Sequence, residues 1–473
     1  MITIMQPTLE SLLRPGARAH LVGIGGVSMS TLAEVLRESG AAVTGSDVKR
    51  NEATERLSAL GIPVTIGHFA DSVRGADFII RTAAVPDGNA EIAEAGSLGI
   101  PVFERADAWG HIMRSYRDAV CVAGTHGKTT TTSMLAHILV AAGADPTVMV
   151  GGTLACLGAG SGYRVGRGDV IVLESCEYAD SFLKFRPTLA VILNVDADHL
   201  DYFTTLENVK ASFAKFAALV PEGGFIVCNA DDPNTMAALY SRESPVPPGR
   251  ELLTFGFTPG SAVRGETEKR SGMGSSFDVL YDERLYCRVK LKIPGHHNVM
   301  NALAAAAASA ALGLPGSAVE DGLSDFTGAG RRFEFKGRIN GADVYDDYSH
   351  HPTELRALFD TALALPYERV VAAFQPHTYS RTSRHLTEFA EQLRRPAKTY
   401  LAPIYAARET NACGVTSEDL SREIPGSAVC RTLDEMTDAL AREARPGDLI
   451  ITAGAGELDL VGAELVRRGA RLI

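Results

Sequence analysis

The chain has 473 residues, of which 46 are Lys or Arg and 57 are Asp or Glu, a formal charge of −11. That balance excludes a nucleic-acid-binding surface as the main business, because counterion release needs a basic footprint, and leaves room only for a local basic pocket for a small anion. Hydrophobic residues at 45% and charged residues at 22% exclude a disordered tail protein, and at roughly 150 residues per domain the length suggests about three domains.

The seven cysteines, at 121, 156, 176, 228, 287, 413 and 430, form no C-x-x-C pair. An odd count at irregular spacing argues against a disulfide framework or zinc module and fits the reduced thiols of a cytoplasm. Residues 1–18 show no basic patch followed by an apolar core, so no signal peptide is expected. The alanine-rich stretch 302–314 is too short to span a bilayer.

The first third alternates short apolar runs with helix-like segments. Residues 20–24 read as a strand, 30–38 as a helix with one apolar face, and 42–45 as a strand leading to Asp47. Further short strands are expected at 78–80 and 101–103. Strands alternating with helices predict a parallel α/β sheet. The polar run 115–118 marks a boundary before a new strand at Ala119. The middle third contains strands at 119–123, 169–173, 189–195 and 224–228. A Pro/Gly/charge-rich stretch occupies 243–275, followed by antiparallel strands within 277–293 and a helix over 297–311. A second boundary falls at 326–332, in Thr327-Gly-Ala-Gly-Arg-Arg. The last third has strands at 343–345, 370–374, 399–402 and 448–452, with helical segments between them. No repeat of 20 to 50 residues is present.

The strongest chemical signal is Val120-Cys-Val-Ala-Gly124-Thr125-His126-Gly127-Lys128-Thr129-Thr130. A hydrophobic strand runs into a glycine turn and then a Thr-rich helix start. Glycines let successive N–H groups point at phosphate oxygens, and the helix N-terminus adds partial positive charge. Lys128 suits the β- and γ-phosphates and the Thr129 hydroxyl suits Mg²⁺. The full nucleotide-loop pattern has Gly where this chain has Val122, so the loop is a shortened variant. Two acidic groups follow apolar strands: Glu174-Ser-Cys-Glu177 and Asp196-Ala-Asp198-His199-Leu-Asp201. Ligands of open parallel sheets bind along the strand C-terminal edge, which places Glu174 and His199 to complete a metal site. Oxygen ligands suit Mg²⁺, and a His ligand makes Mn²⁺ acceptable.

Near the start, His20-Leu-Val-Gly23-Ile-Gly25-Gly26-Val-Ser28-Met-Ser30 is followed by Asp47 at the next strand end. This resembles a dinucleotide fingerprint with Ser28 in place of the third glycine. It fits NAD, or a nucleotide-sugar diphosphate on the same helix N-terminus. In Pro294-Gly-His-His-Asn298-Val-Met-Asn301 the two asparagines share a helix face. Asn298 sits where an N-cap is expected, and its amide also suits an adenine edge. The last third adds Arg331-Arg332, Asp346-Asp347-Tyr-Ser-His350-His351-Pro and Gln375-Pro-His377-Thr-Tyr-Ser-Arg381. Arg381 suits a bidentate grip on a carboxylate, Asp347 suits ribose hydroxyls, and for one of the two adjacent histidines loop hydrogen bonding is the expected role.

Taken together, these strings resemble the Mur ligases, ATP-dependent amide-forming enzymes of peptidoglycan synthesis. Further support comes from Gly330-Arg-Arg-Phe333, Ile404-Tyr-Ala-Ala-Arg-Glu409 and Gly414-Val-Thr-Ser-Glu-Asp419, all in family order over nearly the whole chain. The implied fold is α/β in three domains. These are an N-terminal Rossmann-like parallel sheet over 1–116 that binds the UDP-sugar, a central P-loop ATPase-like domain over 117–328 that binds ATP, and a C-terminal Rossmann-like domain over 329–473 that binds the amino acid and closes over ATP. The implied reaction joins L-alanine, or in a recycling variant a tripeptide, to the carboxylate of UDP-N-acetylmuramate. ATP is the implied co-substrate and Mg²⁺ the implied metal, with a monomer or homodimer as the assembly. Carried over by position, Gly25, Gly26 and Ser30 belong near the diphosphate, and Asp47 and His68 near the nucleotide. Gly124 to Thr130, Asn298, Arg331 and Asp347 belong with ATP. Thr129, Glu174 and His199 are the implied metal ligands, and Lys128, His199, His350 and Arg381 the implied catalytic group. His350 or His351, with Arg381, would hold the amino acid. The chain departs from the family pattern at Ser28 (commonly Gly), at Ser175-Cys176 (commonly Ala-Asp) with Tyr178 (commonly Ser), and at Thr378 (commonly Arg), which leaves alanine, serine and glycine open as acceptors.

Overall fold

The computed structural model describes residues 8–82, 84–157, 162–240, 246–407 and 409–470. The first seven residues of the segment read for a signal peptide, residues 243–245 of the Pro/Gly/charge-rich stretch, and Arg408 lie outside the described residues.

The first sheet contains β1 (Arg18–Val22), β2 (Ala42–Asp47), β3 (Val64–Ile66), β4 (Phe78–Arg81) and β5 (Val102–Glu104), in the order β3-β2-β1-β4-β5. Every neighbouring pair is parallel. The order reverses between β1 and β4, the position at which open sheets leave a crevice at their strand C-termini. The predicted strand 20–24 lies two residues too late. The chain already turns at Gly23 (φ +82), where the N–H groups of Gly23 and Ile24 both donate to the Ser46 carbonyl. The next helix, Val27–Glu38, starts three residues before the predicted 30, with Gly26 as its N-cap.

The second sheet contains β6 (Asp118–Ala123), β7 (Thr147–Met149), β8 (Tyr163–Arg164), β9 (Val170–Glu174), β10 (Leu189–Ile192), β11 (Phe225–Asn229), β12 (Glu251–Gly256), β13 (Val263–Ser271), β14 (Gly274–Tyr281) and β15 (Arg284–Leu291). Its order is β15-β14-β13-β12-β11-β10-β6-β9-β7-β8. Strand β6 lies between β9 and β10, parallel to both, and is buried almost throughout. Strands covered on both faces read as continuous apolar runs, which is why 119–123 was legible. The stretch 243–275 contains β12 and β13. The outer half of β13 is exposed, so its charged residues fit a solvated strand.

The third sheet contains β16 (Glu334–Ile339), β17 (Ala342–Asp347), β18 (Arg369–Phe374), β19 (Lys398–Leu401), β20 (Ala428–Val429) and β21 (Asp448–Ala453), ordered β16-β17-β21-β18-β19-β20. Only the β16–β17 pair is antiparallel. Among the described residues no helix is long and apolar enough to cross a membrane.

The chain divides into two compact units. One comprises Met1–Arg264, Val279–Cys287 and Leu303–Gly322; the other comprises Gly265–Asp278, Arg288–Ala302 and Leu323–Ile473. Within the first unit a single core runs from the first sheet to the second. Trp109, Ile112 and Met113, on and just after helix Arg105–Ile112, belong to the same buried cluster as Phe182, Phe213 and Phe216. Phe182 stacks on Phe216 with ring centroids 4.5 Å apart. Gly110 makes the close approach possible, since a Cβ there would lie 2.0 Å from the Lys184 carbonyl oxygen. Gly110→Ala should therefore lower stability by about 1–3 kcal/mol, the usual cost of overpacking a closed contact, measured by denaturant unfolding.

Candidate active site

Strand β6 ends in a turn that must reach the helix Lys128–Ala141 within four residues. Gly124 takes φ +146, and a Cβ there would lie 2.8 Å from Leu193 Cβ. Gly127, the helix N-cap, takes φ +86. Both conformations are ones L side chains resist. Asn194, just beyond β10, pins the turn. Its Oδ1 accepts from the His126 N–H at 2.8 Å, its Nδ2 donates to the His126 carbonyl at 3.0 Å, and its own carbonyl accepts from the Thr125 N–H at 3.1 Å.

Lys128 folds back over this turn. Its Nζ donates to the Gly124 carbonyl at 2.5 Å and the Thr125 carbonyl at 3.1 Å, and lies 2.9 Å from Glu177 Oε2. Glu177 is buried, and the Lys128 side chain is 13% exposed. Burial works against the ammonium, but the Glu177 carboxylate outweighs it and holds Lys128 above the ordinary lysine range. Glu177 also lies 3.9 Å from His199 Nε2.

Beside the lysine, the Thr129 hydroxyl donates to Glu174 Oε1 at 2.9 Å, and the Gly151 N–H donates to Glu174 Oε2 at 2.6 Å. A hydroxyl and a carboxylate together at this helix start form an oxygen donor set of the kind Mg²⁺ takes. His199 has a left-handed backbone (φ +52), and its Nε2 lies 3.7 Å from Asp198 Oδ2. Such strain in a non-glycine residue costs about 1–2 kcal/mol and is concentrated at functional sites. The structure thus joins Thr129 to Glu174 directly and sets His199 beside Glu177.

In the first sheet, the Gly25 N–H donates to Asp47 Oδ2 at 2.8 Å, and Asn51 Nδ2 donates to the Gly25 carbonyl at 3.2 Å. Gly26 caps the helix that follows, and the buried Ser30 donates its hydroxyl to the Val27 carbonyl. Asp47 therefore organises the glycine turn itself. His68 lies just past β3, next to β2. Ser28, the departure from the family glycine, accepts a hydrogen bond from the Trp109 indole N–H at 3.0 Å, in the shared core.

The second unit gathers the predicted residues of the last third. Arg331, at φ +57, donates to Asp346 Oδ2 through Nε at 3.0 Å, to the Gly454 carbonyl at 2.8 Å and to the Gly456 carbonyl at 3.2 Å. Asp347 accepts from the Phe333 N–H and the Ser349 N–H, each at 2.8 Å, and from the Ser349 hydroxyl. Burial raises the Asp347 carboxyl above its usual range, against the pull of Arg332 and Ser349. His350 Nδ1 lies 2.9 Å from the Tyr348 carbonyl, and its ring is 5.6 Å from that of His377, which Arg381 approaches at 3.3 Å. His351 is the helix N-cap of Pro352–Leu363, in a capping box with Glu354. Asn298 does not cap its helix: it lies inside the first turn of His296–Ala311, and its amide donates to the Pro294 carbonyl at 2.7 Å. Thr378 occupies the N-cap of Tyr379–Arg384 with a positive φ of 65°.

Three family models match the chain: "Mur ligase family, catalytic domain" over residues 18–117, "Mur ligase middle domain" over 122–309, and "Mur ligase, glutamate ligase domain" over 331–456. A UDP-N-acetylmuramate–L-alanine ligase of Caldanaerobacter subterraneus subsp. tengcongensis is 44% identical over 468 residues, which cover 98% of this chain and 100% of that one. The chain belongs to the Mur ligase family. A second relative, the UDP-N-acetylmuramate–L-alanine ligase of Clostridium novyi, is 41% identical over 94% of this chain and 96% of its own. Among solved structures, the UDP-N-acetylmuramate–alanine ligase of Thermotoga maritima superposes with a TM-score of 0.80 at 29% identity, covering 96% of this chain and 100% of that one. A murein peptide ligase of Psychrobacter arcticus shares the fold, with a TM-score of 0.71 at 24% identity over 97% of this chain and 100% of its own.

Family membership sets aside the NAD reading of the glycine turn. Sequence reasoning gave neither Glu177 nor Asn194 a role. Their signal was position, since each stands just past a strand flanking β6. If the Lys128–Glu177 pair is as tightly coupled as its burial implies, Glu177→Gln should destabilise the ligand-free protein by about 3 kcal/mol at pH 7, the scale for orphaning a buried charge. Lys128→Met should recover most of that loss in the double variant, as read by urea unfolding of all four members of the cycle.

Proposed function

We propose that this Mur ligase joins L-alanine to the lactyl carboxylate of UDP-N-acetylmuramate, converting ATP to ADP and phosphate. The observation that carries the reading is the geometry around Lys128. A nearly buried ammonium, a Thr129–Glu174 pair and a glycine turn share the C-terminal edge of the parallel strands β9, β6 and β10, in a chain that spans the full length of an L-alanine ligase at 44% identity. The first domain, 1–116, takes the UDP-sugar, with Gly25, Gly26 and Ser30 near the diphosphate. The central domain, 117–328, takes ATP on residues Gly124 to Thr130. The last, 329–473, supplies Arg331 and Asp347 for the nucleotide and His350 with Arg381 for the amino acid. Asn298 touches adenine. Cytoplasmic location follows from the use of ATP and a soluble nucleotide sugar.

A carboxylate is anionic and lacks a leaving group, so it must first be activated. Its oxygen attacks the γ-phosphorus, ADP leaves, and an acyl phosphate forms. In this step Lys128 exchanges the Glu177 carboxylate for phosphate oxygens, so the ammonium faces negative charge before and after nucleotide binding. Thr129, Glu174 and His199 would hold Mg²⁺, or Mn²⁺, which when bound neutralises charge on the phosphates. The alanine amine then attacks the acyl carbon and phosphate leaves. Arg381 grips the alanine carboxylate and sets the amine's approach. The amine proton goes to His350 or His199, and a His199 engaged with a metal is unavailable for it.

The test measures phosphate release from ATP with UDP-N-acetylmuramate and Mg²⁺, adding L-alanine, L-serine, glycine or a stem tripeptide separately. Release that requires both the sugar and L-alanine is expected; release with the tripeptide alone overturns the reading. Lys128→Ala should abolish acyl phosphate formation while calorimetry still shows UDP-sugar binding, and loss of both would break the proposed division of labour. Arg381→Ala should raise the KM for alanine about tenfold or more, the scale of a lost charge-assisted hydrogen bond. A change confined to the KM for ATP would contradict its assignment.

A further inference from the structure

Beneath the glycine turn of the first sheet lies a polar cluster that none of the steps above uses. Glu91, at the second position of helix Ala90–Ser97, is fully buried. The Ser46 hydroxyl donates to its Oε2 at 2.5 Å, and the same oxygen lies 3.0 Å from His68 Nδ1. Its Oε1 faces His20 Nε2 at 3.6 Å, and His20 Nδ1 lies 2.8 Å from Thr44 Oγ1. Burial pushes the Glu91 carboxyl up, but the facing His20 ring and the donors from Ser46 and His68 outweigh it and hold the group below the usual range.

This arrangement fixes the proton on His68. Ser46 Oγ also lies 3.0 Å from His68 Nδ1. The Ser46 hydroxyl proton goes to Glu91, so Ser46 offers His68 only a lone pair. The ionised carboxylate offers only lone pairs as well. Two acceptors face one ring nitrogen, so Nδ1 carries the hydrogen. In the neutral ring Nε2 is then an acceptor. The His68 side chain is 16% exposed, so the ring reaches the surface past the end of β3. Its neighbour Gly67 donates its N–H to the carbonyl of Asp47 at 2.8 Å.

We propose that Glu91 and Ser46 are positioning residues that lock His68 with its proton on Nδ1, so that Nε2 accepts a hydrogen bond from the uridine of the bound sugar nucleotide, either the uracil N3–H or a ribose hydroxyl. The diphosphate is excluded as its partner, because phosphate oxygens at neutral pH only accept. The inference rests on reading the first domain as the UDP-sugar site.

Nitrogen-15 NMR of the full chain labelled at histidine, with His68 assigned through a His68→Gln variant, reads the tautomer directly. The expected signature is a protonated Nδ1 and a bare Nε2; a protonated Nε2, as the other tautomer or as imidazolium, overturns the proposal. Calorimetry with UDP, 3-methyl-UDP and 2′-deoxy-UDP separates the two donors. One analogue should bind wild type about tenfold more weakly than UDP, the scale of one hydrogen bond, and that penalty should vanish in His68→Ala. Two analogues that bind as well as UDP overturn the proposal. Glu91→Gln should raise the KM for the sugar nucleotide about tenfold while leaving kcat and the KM for ATP within about twofold. Its effect should not add to that of His68→Ala, and multiplied losses would mean that Glu91 acts elsewhere. Ser46→Ala takes its place if Glu91→Gln does not fold. Wild-type protein with no affinity for UDP would remove the UDP-sugar reading together with this one, whereas UDP binding with the wrong tautomer removes this one alone.

Discussion

A buried ammonium needs a negative partner at every moment, and the centre of this molecule is organised around that need. Lys128 stands at the N-terminus of a helix that leaves a buried strand, with its side chain only 13% exposed. Its partner comes from the segment after β9, one strand away from β6, and the segment after β10, on the other side of β6, supplies the asparagine that holds the turn. The order β10-β6-β9 is therefore what lets one lysine, one hydroxyl and two carboxylates meet at a single edge.

The first sheet solves a different problem with similar means. The N–H groups of its glycine turn are taken up within the fold: those of Gly23 and Ile24 go to the Ser46 carbonyl and that of Gly25 to Asp47, while Asn51 reaches the Gly25 carbonyl and caps the helix Glu52–Ala59. Glu91 lies deeper still, and its fully buried carboxylate takes donors from Ser46 on a strand and His68 in a loop, with His20 facing it at 3.6 Å. In both sheets the turn at the strand C-terminal edge is shaped by side-chain carboxylates and amides that hold its backbone.

Much of this was legible in the sequence. Strands covered on both faces gave uninterrupted apolar runs, so β6, β9, β10, β18 and β21 were found close to their observed bounds. The site strings stood out because glycines, a lysine and acids followed those runs. What escaped has physical causes. Strand β13 is half solvated, and its charged residues masked it. The β7–β8 pair is too short for periodicity to show. Asn298 looked like a cap, but its helix begins at His296, one residue before the expected 297, which puts Asn298 inside the first turn. Partnerships across long separations, such as Lys128 with Glu177, Ser46 with Glu91 or Arg331 with Gly454, depend on which strands become neighbours, and no local pattern encodes that.

The chain has a single tryptophan. Trp109 lies fully buried in the core common to the first two sheets, and its indole N–H donates to Ser28, on the first turn of the helix that follows the glycine turn. Indole emission responds to the loss or strengthening of such a bond and to the polarity around the ring. The molecule thus contains its own optical probe, with no competing fluorophore of the same kind, placed where a ligand settling on that helix start would be felt. A ligand that disturbed this bond would announce itself in the colour of one residue's light, in the unlabelled protein and on the timescale of mixing.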